Sequence, residues 1–238
     1  MAVFPLNHYA SATELAEAAA LDCLREIREA EERGVPFTIA LSGGRIARQF
    51  FEGLARYAGA ELVAFTSVHF FWADERCVPP GSPDSNYRLA FDTFLGPLEI
   101  PGEQIHRIQG EENPSQAAKE ASEILASLAS QRKDGTLMLD LVLLGMGEDG
   151  HVASLFPGEP GSVAANPAIY RPVSAPKPPP QRITLGYSTI AAAREVWVLA
   201  SGSGKQGALR QSLSAKGGTP LARVLSQRHH TRILSDIE

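Results

Sequence analysis

Apolar and polar positions follow two periods along the chain, and the switches between them mark the elements. From about Ser11 to Arg33, residues Ala16, Ala19, Ala20, Cys23, Leu24 and Ile27 recur at helical spacing on one broad face, and Gly34 is a natural stop. The pattern then becomes an unbroken apolar run, Phe37–Leu41, which predicts a strand buried on both faces. Ser42-Gly43-Gly44 closes it, and helical spacing resumes from Arg45 to about Tyr57. A second run predicts a strand over Ser67–Ala73, with Asp74-Glu75-Arg76 at its end. A loop rich in Pro, Gly and Ser separates it from a helix over Tyr87–Phe94. A further helix is expected from Pro114, well placed in a first turn, to Gln131, and a third strand over Leu139–Leu144.

The stretch Ser174–Pro180 (SAPKPPP) fits neither helix interior nor central strand and reads as an exposed connector. Strands follow at Ile183–Leu185 and Val196–Ala200, then a helix opened by Lys205 and a last strand near Thr231–Leu234. No internal repeat interrupts the order. Strands alternating with helices predict an α/β fold: a mostly parallel, Rossmann-like sheet with helices on both faces and a smaller subsidiary region. Residues 1–238 read as one such domain. Ligands of these sheets bind beyond the carboxyl ends of the strands. Four predicted strands end there in polar or glycine-rich loops: Ser42-Gly43-Gly44, Asp74-Glu75-Arg76, Gly145–His151 and Ser201–Lys205. Their convergence predicts a single site.

Composition narrows the partners. The 238 residues are 44% apolar and 21% charged, ordinary for a globular chain with a sizeable core. A net charge of −5 without a basic run argues against nucleic acid. The N-terminal stretch has no basic region ahead of an apolar core, and no segment approaches a membrane span, so a cytoplasmic protein without a membrane partner is expected. Cys23 and Cys77 form no CxxC pair and read as small apolar groups. No HExxH or GxSxG motif is present, His8, His69 and His106 read as structural or surface residues, and no metal is expected.

Gly145-Met146-Gly147-Glu148-Asp149-Gly150 matches G-x-G-x-x-G literally, but Pro157 and Gly158 cut short any helix after it, and no acid stands about 20 residues on. The dinucleotide reading therefore fails. The glycines instead let backbone approach a ligand, with Asp149 and His151 flanking Gly150. A solvated loop histidine with a capping aspartate is the alternative. Ser42-Gly43-Gly44 before a helix supplies N–H groups and dipole for an anion, and Arg45 adds charge. On an extended chain Asp74 and Arg76 share a side while Glu75 faces away. SGSGK is no P-loop, since Leu199 and Gln206 stand where glycine and Ser/Thr are required, yet Lys205 can hold a phosphate as a point charge.

Taken together, LSGG (Leu41–Gly44), ADERCVP (Ala73–Pro79), SNYRL (Ser85–Leu89), LVLLGMGEDGHVASLFPG (Leu141–Gly158), RITL (Arg182–Leu185) and SGSGK (Ser201–Lys205) resemble the 6-phosphogluconolactonase family, within the group that includes glucosamine-6-phosphate deaminase. Arg76 after Asp-Glu, and Ser154-Leu155-Phe156-Pro157 after the histidine turn, favour the lactonase branch. The resemblance implies hydrolysis of 6-phosphoglucono-δ-lactone in the pentose phosphate pathway, with no cofactor and a sugar phosphate as the small-molecule partner. It implies a monomer or small homo-oligomer. It further implies His151, Asp74 and Arg76 as catalytic residues, with His151 activating water and Asp74 orienting it or binding hydroxyls. Ser42, Gly43, Gly44, Arg45, Asp149, Arg182 and Lys205 form the implied substrate-binding set. Arg45-Ile46-Ala47 departs from the family's Ser-Thr-Pro, which alters the phosphate contacts. A deaminase/isomerase-like activity and a non-catalytic sugar-phosphate-binding module are the alternatives.

Overall fold

In the computed structural model, which describes residues 4–131 and 135–237, a six-stranded parallel sheet forms the centre. Its strands are β1 (Leu6–His8), β2 (Phe37–Leu41), β3 (Val68–Trp72), β7 (Leu141–Gly145), β10 (Glu195–Ala200) and β11 (Arg232–Ser235). They lie in the order β1-β11-β10-β7-β2-β3. A three-stranded antiparallel sheet, β4-β9-β8, is built from β4 (Asp74–Arg76), β8 (Tyr170–Ser174) and β9 (Gln181–Leu185). A short pair joins β5 (Ser130–Gln131) to β6 (Leu137–Met138). The helices are α1 (Ala12–Glu32), α2 (Arg45–Tyr57), α3 (Asn86–Ala90), α4 (Pro114–Leu128), α5 (Gly161–Ala164), α6 (Tyr187–Ala192), α7 (Gln206–Leu213) and α8 (Pro220–Ser226).

The unbroken apolar runs are buried as expected. Every residue of β2, and all of β10 after Glu195, is buried, so helices cover the sheet on both faces. Leu15, Ala19, Ala20, Cys23, Leu24 and Ile27 of α1 join Phe50, Phe51 and Leu54 of α2 in a core that also holds Trp72, Trp197, Phe70, Phe71 and Phe94.

Topology opens the site. From β2 the chain steps outward to β3, returns to β7 on the other side of β2, then continues outward through β10 and β11. The order reverses between β2 and β7, where a ligand crevice is expected. Their ladder covers only Ile39↔Leu141 and Ala40↔Val142. Below it, Asp140 Oδ2 accepts the Thr38 N–H and hydroxyl at 2.9 and 2.8 Å. The two strands are thus laced at the start of the ladder and free to part at their carboxyl ends.

Some expectations need correction. Asp74-Glu75-Arg76 is not merely the tail of a strand: the chain changes sheets at Ala73, whose N–H donates to Leu41 O (2.7 Å) and whose carbonyl accepts from Leu185 N–H (2.8 Å). The helix expected over Tyr87–Phe94 is α3 followed by a wider π-type turn at Phe91–Leu95. The helix from Pro114 stops at Leu128, because Ala129 is extended and Ser130-Gln131 pairs with β6. Strands β1, β5, β6 and β8 and helices α5, α6 and α8 were not anticipated.

Candidate active site

The turn after β7 is closed by its own backbone: Gly147 N–H donates to His151 O at 2.9 Å, and Gly150 N–H to Gly147 O at 3.0 Å. This folds His151 back over Gly147, where any Cβ would collide with the imidazole. Only glycine permits that approach. Inside the turn His151 Nδ1 pairs with Asp149 Oδ1, and the same oxygen accepts the His151 backbone N–H at 3.2 Å. With the carboxylate accepting from Nδ1–H, Nε2 is the ring nitrogen left to take a proton. Partial burial raises the Asp149 carboxyl, but the His151 hydrogen bond, followed by the nearby charges of His151 and Lys177, outweighs it and holds the group below its ordinary value. Lys177 Nζ stands 3.9 Å from Asp149 Oδ2. The ring of Phe156 packs on His151 at 4.9 Å between centroids and carries the Arg182 guanidinium 5.6 Å from its own centroid.

Opposite this turn, β4 and β9 supply a second wall. Arg76 and Arg182 are direct cross-strand partners, as are Asp74 and Thr184. Burial and then the Arg76 charge depress the Arg182 guanidinium from its ordinary value. Asp74 is buried; its Oδ2 accepts from Ser154 Oγ at 2.6 Å, and its backbone oxygen from Asn86 Nδ2 at 2.8 Å. Glu75 faces the other way, as alternation predicts. Its carboxylate accepts from the backbone N–H groups of Arg76, Asn86 and Tyr87 at 2.7, 2.8 and 2.8 Å, and from Ser85 Oγ at 3.0 Å. It thereby ties the 77–87 loop and the start of α3 beneath the site.

The third wall is the start of α2 with the loop after β10. Gly44 is the N-cap residue of α2 with φ of 100°, a conformation open to glycine, and no side chain caps the helix. Its first-turn N–H groups are therefore available to an anion. Arg45 stands on that turn, and Lys205 comes from the 3₁₀ turn Ser203–Lys205 ahead of α7. Burial first, then the Arg45 charge, lowers the Lys205 ammonium from its ordinary value, while Asp236 and Glu148 pull it back.

Between these walls lies a cavity of about 310 Å³. Ser42, Gly43, Gly44, Arg45, Asp74, Arg76, His151, Arg182 and Lys205 all line it. Asp149 does not; it stands behind His151. The orienting role given to Asp74 therefore passes to Asp149, since the contacts of Asp74 go to Ser154 and Asn86. The sequence reading missed Gln49 and Asn86, which line the cavity, and Ser154, which is fully buried against Asp74. The signal for Gln49 was available: it follows Arg45 by four positions, on the same helical face. No helix among the described residues is long and apolar enough to cross a membrane.

The fold is an open, parallel α/β sheet whose strand ends bring a histidine–carboxylate pair and several cations to one cavity. Residues 10–234 match the family described as glucosamine-6-phosphate isomerases/6-phosphogluconolactonase, and the chain belongs to that family. It is 39% identical over 191 residues to a probable 6-phosphogluconolactonase 3, chloroplastic, of Oryza sativa, covering 78% of this chain and 58% of the rice protein. The chain thus spans less than two thirds of that plant relative. A 6-phosphogluconolactonase of Streptomyces coelicolor is 32% identical, with 85% of this chain and 80% of that protein covered. The solved 6-phosphogluconolactonase of Trypanosoma brucei superposes with a TM-score of 0.86 at 28% identity, covering 100% of this chain and 97% of that one. A monomeric glucosamine-6-phosphate deaminase shares the fold, with a TM-score of 0.81 at 19% identity over 97% of this chain and 96% of that one.

Proposed function

We propose that this protein hydrolyses 6-phosphoglucono-δ-lactone to 6-phosphogluconate, a step of the pentose phosphate pathway. The observation that carries the reading is the Asp149–His151 pair beside a cavity whose cations fall into two groups. Lys205 feels the charge of Arg45, whereas Arg182 feels that of Arg76. The first group joins the uncapped start of α2 and suits the phosphate. The second stands beside Asp74 on the β4/β9 wall and suits the reacting end. The named activities of the relatives support the same assignment.

In this reading His151 Nε2 takes a proton from water as the water oxygen bonds to the lactone carbonyl carbon. Arg76 faces the oxyanion that forms. When the oxyanion collapses, the ring C–O bond breaks and His151 returns its proton to the departing oxygen, leaving a carboxylic acid that ionises. General base catalysis typically contributes roughly 10²–10⁴-fold, and charge stabilisation at the oxyanion is often larger. Asp149 holds the imidazole and stabilises its protonated form, while Asp74 and Arg182 contact the sugar. Ser42, Gly43, Gly44, Arg45 and Lys205 hold the phosphate.

The test is a coupled assay that follows 6-phosphogluconate formation above spontaneous lactone hydrolysis. The wild type should accelerate it strongly, and His151→Ala should lose most of that acceleration while still binding 6-phosphogluconate. Wild-type turnover at the spontaneous rate, or ammonia release from glucosamine 6-phosphate in its place, would sink the proposal.

A further inference from the structure

Strands β10 and β11 run parallel with Ala200 beside Ser235, so the next residue of each, Ser201 and Asp236, leaves the sheet beside the other. Asp236 turns both carboxylate oxygens to the neighbouring loop: Oδ2 accepts from Ser201 Oγ at 2.7 Å and Oδ1 from Gly202 N–H at 2.9 Å. Its own place is fixed at the end of the ladder, where Ser235 O accepts from Tyr9 N–H at 2.8 Å and Ser235 Oγ from Ile237 N–H at 3.0 Å. Gly202 in turn opens the turn that carries Lys205, whose N–H donates to Gly202 O at 3.0 Å. Gly202 has φ of 103°, and Gly202, Ser203 and Gly204 are exposed, so packing does little to hold this turn. Ser201, Gly202 and Lys205 line the cavity, whereas Asp236 does not.

We infer that Asp236 is a positioning residue for phosphate binding: it tethers Ser201 and Gly202, and through them it sets the place of Lys205. This rests on the functional reading above, which gives Lys205 to the phosphate. Hydrogen bonds to a carboxylate are stronger than those between neutral groups, and two of them from one side chain offset the conformational freedom of a glycine-rich loop. On an untethered loop the ligand itself would have to order the lysine, at a cost in affinity. The charges around Lys205 agree with this arrangement. Burial and Arg45 disfavour its ammonium, whereas Asp236 and Glu148 favour it. Glu148 comes from the His151 turn and packs on Gly204, where a Cβ would stand 3.2 Å from Glu148 Oε1.

The experiment is calorimetric binding of 6-phosphogluconate to the whole chain, with Asp236 changed alone and together with Lys205. Asp236→Ala should weaken binding roughly fivefold when Lys205 is present and add little in the Lys205→Met background, because residues that act through one another are not additive. A residue that only supported the fold would cost the same in both backgrounds. Asp236→Ser, too short to span both donors, should fall as far as alanine and serves as the second truncation. Asp236→Asn keeps an oxygen for Gly202 N–H and turns an amide N–H to Ser201 Oγ, so it should retain most of the affinity. Unchanged affinity in the truncated variants, an equal loss in both backgrounds, or an asparagine variant as weak as the truncations overturns the inference alone. A wild type that does not bind 6-phosphogluconate, or that loses no affinity in Lys205→Met, overturns the functional reading of the site as well.

Discussion

Asp149 Oδ1 takes both the Nδ1 proton and the backbone N–H of His151, so one carboxylate oxygen fixes the ring and the turn that carries it. Because the carboxyl lies below its ordinary value of 3.8, the oxygen is anionic throughout the neutral range. Asp149→Asn removes the charge and lets an amide N–H face the ring, which no longer selects the tautomer with Nε2 open. We expect kcat for lactone hydrolysis to fall roughly 10²-fold with little change in KM, at the lower end of what general base catalysis supplies. Steady-state kinetics with the spontaneous rate subtracted decides it. A variant that keeps wild-type kcat removes Asp149 from the mechanism.

Lys205 and Arg45 line the cavity together, the pair proposed to hold the phosphate, and burial and the Arg45 charge lower the Lys205 ammonium from the ordinary 10.5. It therefore loses its proton at a lower pH than a solvated lysine, and the phosphate loses a cation with it. KM should rise as pH increases into the alkaline range while kcat changes less. Lys205→Met should raise KM about tenfold near neutrality and abolish the alkaline rise. Arg45→Ala should also raise KM, but shift the alkaline rise to higher pH because the repelling charge is gone. A flat KM profile for the wild type would place the phosphate elsewhere.

Much of this site could be read from residue order. The glycine turn, the Ser42-Gly43-Gly44 helix start, Asp74, Arg76 and Lys205 each follow a strand, and a parallel sheet delivers strand ends to one edge. What escaped has physical reasons. Asp149 and His151 flank a glycine, and spacing cannot say that one backs the other and leaves the cavity lining to it. Strand β8 contains Pro172, which lacks an N–H and argues against a central strand; it is tolerated because β8 is the edge of the small sheet. Strand β1 has three residues at the edge of the large sheet and too short a run to show a period. Gln49 could be placed on the Arg45 face of α2 by its spacing, but a polar residue on an amphipathic helix does not by itself show that this face lines a cavity.

Glu75 was expected to face away from Asp74 and Arg76, and it does, into the protein interior. Its four accepted hydrogen bonds join β4 to the start of α3. Glu75→Ala leaves three backbone N–H groups and a hydroxyl without that acceptor in a buried place, where each orphaned donor costs about 1–3 kcal/mol before relaxation or water entry. We expect a net loss of about 3 kcal/mol in urea-induced unfolding. Glu75→Gln, which keeps one acceptor oxygen, should recover part of it. An unfolding midpoint unchanged in Glu75→Ala would show that the 77–87 loop is anchored by other contacts.

His69 and His106 give the fold an acid-sensitive contact apart from the Gly145–His151 turn. His69 Nδ1 and His106 Nε2 are 3.0 Å apart, one donating to the other, and the His106 ring also stacks on Phe71 at 4.7 Å. Burial, then the neighbouring His69, lowers His106 from 6.5 to about 4, and burial lowers His69 as well. The folded state thus binds these protons less readily than the unfolded chain, whose histidines titrate near 6.5. By linkage, the contact's full contribution is present above about pH 6.5 and is lost progressively as pH falls towards about 4. Both rings are partly exposed, so solvent screening reduces the effect to on the order of 1 kcal/mol. His106→Phe keeps the stack on Phe71 and removes one titrating ring, although it unpairs His69 and so lowers stability at neutral pH. The loss of Tm between pH 7 and pH 5, measured calorimetrically, should be smaller in His106→Phe than in the wild type. Equal losses in the two proteins would assign the acid sensitivity to other groups.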